Sequence, residues 1–148
     1  MIRAAFIGAG ARSVSHMRAL TYLPDVQVAA VAELDETRAQ AAQARANERR
    51  APGSDPIQAQ VYRDYRQMLE AATPDVVYLC LPPYVHGQID HDVVDYGRPV
   101  LFEKPLGLDM GMVNEVADHI RARGIVNAVG YQKRYSSAVQ APRKLLAG

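Results

Sequence analysis

The sequence has little of several things whose presence would settle a function class at once. It has one cysteine, Cys80, in 148 residues, which excludes an internal disulfide framework and any cysteine-based zinc cluster. No apolar run approaches the ~20 residues that a membrane-spanning helix needs. Neither sign of charge dominates. Seventeen Lys and Arg stand against 16 Asp and Glu, a net charge of +1, without the concentrated basic face of a nucleic-acid binder. The densest positive stretch, Arg45 to Arg50, is diluted by Glu48 and reads as the solvated face of a helix. There is no internal repeat and no low-complexity tract. The opening "MIRAAFIGAGAR" is too short and too glycine-rich for a signal peptide, and no twin-arginine pair precedes it. A cytoplasmic protein with no metal site and no nucleic-acid or membrane partner is the expectation.

What is there is a regular alternation. With 49% apolar residues, a chain of this length forms one domain and can bury about two thirds of its unfolded surface. Arg3 to Ile7 reads as a strand ending in glycines, and Ser13 to Leu23 as a helix closed by Pro24. Val26 to Ala32 is near-continuously apolar, as a strand buried on both faces should be. Asp35 opens a long helix, and 51–56 ("APGSDP") is a turn-rich loop. Val61 and Tyr62 form a short strand, and Asp64 caps the next helix with Gln67 in a capping-box-like position. Val76 to Leu81 is a strand halted by Pro82 and Pro83. A helix then runs to Tyr96, with Gly97 just past its end. Val100 to Phe102 is a fifth strand. Behind Asp109, Met112, Val113, Val116, Ala117 and Ile120 recur at helical spacing, and Gly124 closes that helix. Ile125 to Val129 is a sixth strand, and Ser136 to Ala147 a last amphipathic helix. Strands alternating with helices predict a doubly wound parallel α/β sheet in three layers, the Rossmann dinucleotide-binding fold.

That fold places ligands at the carboxyl ends of its strands. After the first strand comes "GAGARS". Gly8 allows the tight turn, Gly10 lets a pyrophosphate approach the backbone, and the following helix N-terminus offers free N–H groups. Ser13 stands where a third glycine would complete G-x-G-x-x-G, either as a small packing residue or as a hydroxyl for a phosphate. Arg12 either flanks the phosphates or lies on the surface. After the second strand stands Glu33, about 20 residues beyond the turn, where an acid accepts hydrogen bonds from ribose hydroxyls. A carboxylate there repels a 2′-phosphate and favours NAD over NADP. Lys104 leaves the fifth strand with its backbone restricted by Pro105, as either a solvated loop charge or a positioned reagent.

"GAGARSVSHMRAL", "VYRDYRQMLE", "PDVVYLCLPPYVH", "FEKPLG" and "GYQKRYSSAV", in that order, resemble the Gfo/Idh/MocA oxidoreductases across essentially the whole chain. Glu103-Lys104-Pro105 matches the family's E-K-P motif, and Pro82 through His86 its P-x-x-x-H segment. The resemblance implies that Lys104 sits beside the nicotinamide and handles the proton of the substrate oxygen, with Glu103 orienting it or the ribose. It implies that Leu81, Pro82 and Pro83 pass close to the nicotinamide ribose with His86 nearby. Pro83 replaces an asparagine often found there and removes one side-chain donor. His16 is expected to cap or pack its helix, and Cys80 to be structural. Tyr131 to Arg134 is similar to the family's domain junction, where Arg134 reaches substrate or tethers domains.

Family members run to twice this length or more, with a second α/β domain that supplies the substrate pocket and often the oligomer surface. The resemblance thus implies a dinucleotide-binding domain over residues 1–148, inactive by itself. Its full-length form would be an NAD-dependent dehydrogenase of a sugar, cyclitol or related polyol, plausibly a homo-oligomer. Two other readings stay open: a noncatalytic NAD-sensing module, and an S-adenosylmethionine-dependent methyltransferase.

Overall fold

Ala4, Ala5, Phe6 and Ile7 of the first strand are all buried, because that strand lies inside a six-stranded parallel sheet with helices on both faces. The structure is a computed structural model that describes residues 1–146. Six strands, β1 (Ile2–Ile7), β2 (Val26–Ala32), β3 (Gln60–Tyr62), β4 (Val76–Leu79), β5 (Val100–Phe102) and β6 (Asn127–Val129), alternate with six α-helices. The helices are α1 (Ala11–Leu20), α2 (Glu36–Asn47), α3 (Tyr65–Ala72), α4 (Gln88–Asp95), α5 (Met110–Arg123) and α6 (Ser137–Leu146). The strand order is β3-β2-β1-β4-β5-β6, with every pairing parallel. The predicted doubly wound architecture is thus the observed one.

Side chains alternate across a strand, so each strand feeds both faces. On one face Phe6, Val28 and Val31 pack against Met17 and Leu20 of α1 and the small Ala39, Ala42 and Ala46 of α2. On the other, Ile7, Val77, Leu79 and Phe102 meet Met68 of α3, Val93 and Val94 of α4, and Val116 of α5. Each fully buried Val, Leu or Phe contributes about 1.5–3 kcal/mol. Between α4 and α5, His91 Nδ1 and His119 Nδ1 share a hydrogen bond at 2.9 Å. Among the described residues no helix is long and apolar enough to cross a membrane.

The predicted helix starts at Asp35, Asp64 and Asp109 are observed as side-chain caps. Several other boundaries differ, each for a local reason. The first helix begins at Ala11, not Ser13, because Gly10 itself is its N-cap, and it ends at Leu20 rather than Leu23. The fourth strand ends at Leu79 rather than Leu81, although Cys80 N–H still donates to Ile7 C=O at 2.9 Å. Ile125 belongs to a helix end, not to β6. Gly124 N–H donates to Arg121 C=O, and Ile125 N–H reaches back to Ile120 C=O, both at 3.2 Å, the paired bonds of a Schellman motif. The predicted last residue of α6, Ala147, lies outside the described residues.

Candidate functional site

Between β1 and β4 the strand order reverses, and there the carboxyl ends of β1, β2 and β4 open a cleft of about 340 Å³. Gly8, Gly10, Glu33, Leu81 and Pro82 line it. A larger hollow of about 660 Å³ lies at the other end of the sheet, between Met1, Pro24 and residues 53–58. It lies against the amino end of β2 and no strand carboxyl end converges on it, so we place the site in the smaller cleft.

The glycine turn is built by two different constraints. Gly8 has φ +91°, and a Cβ on it would stand 2.5 Å from the Cys80 carbonyl oxygen, so β1 turns directly against the backbone just past β4. Gly10 has an ordinary φ of −78°, and a Cβ there would meet nothing nearer than Arg38 Nη2 at 3.8 Å. The space above Gly10 is open to a ligand. No side chain caps α1, whereas aspartates cap α2, α3 and α5. The first N–H groups of α1 are therefore left for an anion in the cleft. Ser13 is fully buried and its Oγ donates to Gly8 C=O at 2.7 Å. Its hydroxyl closes the turn from inside, so packing is the role of the two that this geometry supports.

Glu33 follows β2 with its carboxylate over the turn. Oε2 accepts from Ala9 N–H at 2.9 Å, and Oε1 accepts from Asp35 N–H at 3.4 Å. One acid thus bridges the β1 and β2 ends, with lone pairs left for ribose hydroxyls.

The two charged side chains just past β5 point apart. Lys104 is exposed and has no ion-pair partner among the described residues, and the Lys104–Pro105 peptide is cis. Glu103 turns inward, where it is 1% exposed. Its Oε1 accepts from Arg12 Nη2 at 3.1 Å and pairs with His16 Nε2 at 2.7 Å, while Oε2 accepts from Lys104 N–H at 3.2 Å. Gly130 makes this possible, since a Cβ there would stand 2.6 Å from Glu103 Oε1. Burial alone would raise the Glu103 carboxyl. The hydrogen bonds and charges of Arg12 and His16 outweigh it and hold the group below the ordinary carboxylate value. Arg12 is thereby engaged on Glu103 rather than aimed over the glycine turn. His16, expected only to cap or pack, joins the same cluster.

His86 also faces inward. Its ring is buried and its Nδ1 pairs with Asp90 Oδ1 at 2.8 Å, while Gly87 N–H donates to Asp90 Oδ2 at 2.6 Å. The pair fastens the turn Pro83–Val85 to the start of α4, so His86 presents no atom to the open cleft. Pro83 belongs to that turn, and Leu81 and Pro82 form the wall. Burial pushes the Cys80 thiol up to about 12, which fits a structural thiol. Sequence reasoning missed Gly130, Asp90 and the cleft-lining Arg63; only the spacing of His86 and Asp90, one helical turn apart, carried a signal.

The strand order, the glycine turn opening α1 and the acid closing β2 define a Rossmann-type α/β protein. More narrowly, the chain belongs to the Gfo/Idh/MocA oxidoreductase family with an NAD-binding Rossmann fold, whose sequence profile matches residues 2–131. Inositol 2-dehydrogenase 1 of Saccharopolyspora erythraea is 30% identical over 151 residues, 99% of this chain and 42% of that protein. The structure of GenD2 from gentamicin A biosynthesis, in complex with NAD, is 27% identical at a TM-score of 0.84, over 99% of this chain and 39% of that one. Myo-inositol dehydrogenase from Lactobacillus casei, in complex with NAD(H) and myo-inositol, shares the fold at 24% identity and a TM-score of 0.85, over 99% and 41%. The chain therefore spans about two fifths of the length of these relatives. The methyltransferase and sensing-module readings find no support in these matches.

Proposed function

We propose that residues 1–148 form the cofactor-binding domain of an NAD-dependent dehydrogenase acting on a sugar, cyclitol or related polyol. The substrate pocket would lie in the part of the relatives that this chain does not span. One observation carries the reading. The uncapped α1 N-terminus, the open space over Gly10 and the Glu33 carboxylate converge at the point where the strand order reverses. These are the demands of a dinucleotide, an anion at a helix N-terminus and a ribose within reach of an acid.

Bound NAD supplies the acceptor for the hydride. In this reading the first N–H groups of α1 hold the diphosphate, and Glu33 orients the ribose through its hydroxyls. Leu81 and Pro82 form the apolar wall along which the cofactor lies. Lys104 accepts the proton of the substrate hydroxyl on its amine nitrogen as the hydride leaves and becomes the ammonium, a role open to a lysine with no competing ion pair. Glu103 positions this lysine by fixing its backbone N–H, rather than by touching the cofactor. The relatives' names support the class of substrate, since those cited above act on inositol or bind NAD.

Thermal denaturation of the chain with NAD or S-adenosylmethionine tests the reading. NAD should stabilise the fold by about 2.7 kcal/mol at a hundredfold excess over Kd, and S-adenosylmethionine should not. A shift with S-adenosylmethionine alone would sink the proposal.

A further inference from the structure

Glu103 holds one side of Lys104 through its backbone N–H. The chain on the other side is loosely held. The N–H groups of Leu106, Gly107 and Leu108 find no backbone partner among the described residues. Leu106 lines an apolar hollow of about 210 Å³ with Phe102, Val113, Val116 and Val129, so the loop after the lysine lies over unfilled space. What reaches it is one side chain. Met112 stands in the first turn of α5, its N–H held by the Asp109 cap at 3.0 Å, and its half-buried thioether runs between two glycines. Sδ lies 3.7 Å from the place a Cβ on Gly87 would take and 3.9 Å from that place on Gly107, which Cε itself fills. An unbranched thioether suits so irregular a gap.

Gly87 is fastened to the coenzyme wall. Its N–H donates to Asp90 Oδ2 at 2.6 Å, and Asp90 Oδ1 pairs with His86 Nδ1 at 2.8 Å. That ties Gly87 to the turn Pro83–Val85, whose Val85 lines the cleft with Leu81 and Pro82. Behind them, the His91–His119 bond at 2.9 Å and Arg123 Nη2, donating to Asp95 C=O at 2.8 Å, join α4 to α5. We propose that Met112 is a positioning residue for Lys104, passing the occupancy of the coenzyme wall to the lysine's loop. A dinucleotide lying along Leu81, Pro82 and Val85 fixes the turn and with it Gly87. The thioether seated on Gly87 then fixes Gly107, three residues past Lys104, as packed side chains between two sites can do. Before coenzyme binds, the hollow gives the loop room to move. Afterwards the lysine is set ahead of the substrate.

This inference rests on the coenzyme role proposed above, and the experiment separates the two. Backbone order parameters are measured by NMR relaxation with and without NADH, in the wild-type chain, Met112→Ala, Met112→Leu and Val113→Ala. Amide shifts of Ala9 to Ser13 report the binding of NADH itself. In the wild-type chain, Leu106, Gly107 and Leu108 should rise on binding from below about 0.7 to about 0.85, the value of rigid backbone. In Met112→Ala the shifts at the glycine turn should persist while the loop stays below about 0.7. Met112→Leu, which conserves volume, should restore the rise. Val113→Ala enlarges the same hollow but leaves the thioether between the glycines, so it should rise like the wild type. Three results would overturn the inference: NADH binding with no rise in the wild-type loop, a rise that survives in Met112→Ala, or an equal loss in Val113→Ala, which would assign the effect to loosened packing. Failure of NADH to shift the glycine turn of the wild-type chain would remove the coenzyme reading and this inference with it.

Discussion

Gly8 and Gly10 stand two residues apart and answer to different demands. At Gly8 the backbone is left-handed and a methyl group would strike the Cys80 carbonyl, so Gly8→Ala should cost roughly 2 kcal/mol or more of stability. At Gly10 the backbone is ordinary and the space is open. Gly10→Val should therefore melt within about 1 kcal/mol of wild type, the cost of a poorer N-cap, yet bind no NAD. Melting curves and coenzyme titration of the two variants check this division. Normal NAD binding by Gly10→Val would take the turn out of the site. Ser13 belongs to the same account, because its hydroxyl satisfies the Gly8 carbonyl that the turn would otherwise leave buried.

At the scale of elements, the Glu103 carboxylate ties α1 to the end of β5 through Arg12 and His16. Its pKa is held down in the folded state. The contribution is therefore complete above the ordinary carboxylate value of about 4.3 and is lost as pH falls through the lower folded value. Thermal melts taken from pH 7 into acid should fall more steeply for the wild-type chain than for Glu103→Gln, which cannot titrate. Equal slopes would exclude Glu103 from acid unfolding. At pH 7, Arg12→Ala should cost about 1–2 kcal/mol, less than a fully buried pair because Arg12 is partly solvated. The Glu103 cluster also marks where sequence reading stops. Val26–Ala32 and Val100–Phe102 are legible residue for residue, since apolar runs bounded by turn residues report strands directly. The Asp caps are legible because a side-chain oxygen three residues before a free N–H is a local pattern. The direction of Glu103 is not local. Its partners lie 91 and 87 residues away on α1, and only the packed sheet brings them together. His86 escaped for a related reason: the motif reports that a histidine follows the turn, not which side of the turn its ring takes.

For the molecule as a whole, Lys104 is where the proposed chemistry meets what this chain leaves to its relatives' remaining length. In a protein that carries that remaining part, Lys104→Met should lower turnover by roughly 10² or more, while NAD affinity changes far less because the glycine turn and Glu33 stay intact. Residues 1–148 alone should bind NAD and oxidise no polyol, as steady-state assays would record. Turnover by the 148-residue chain would place the whole active site within it, and an unimpaired Lys104→Met would return the lysine to a loop charge. The central place of β1 also bears on how the protein is made. Its Ile2–Ile7 edge finds β2 within the next two dozen residues or so of chain. Its other edge pairs with Val76–Leu79, roughly 70 residues later, about 4–14 s away at ordinary rates of synthesis. Until then a strand with four of its six residues buried in the folded sheet offers an unpaired edge to any neighbouring nascent chain. The speed of translation between β2 and β4 is thus a determinant of how much of this protein reaches the native state.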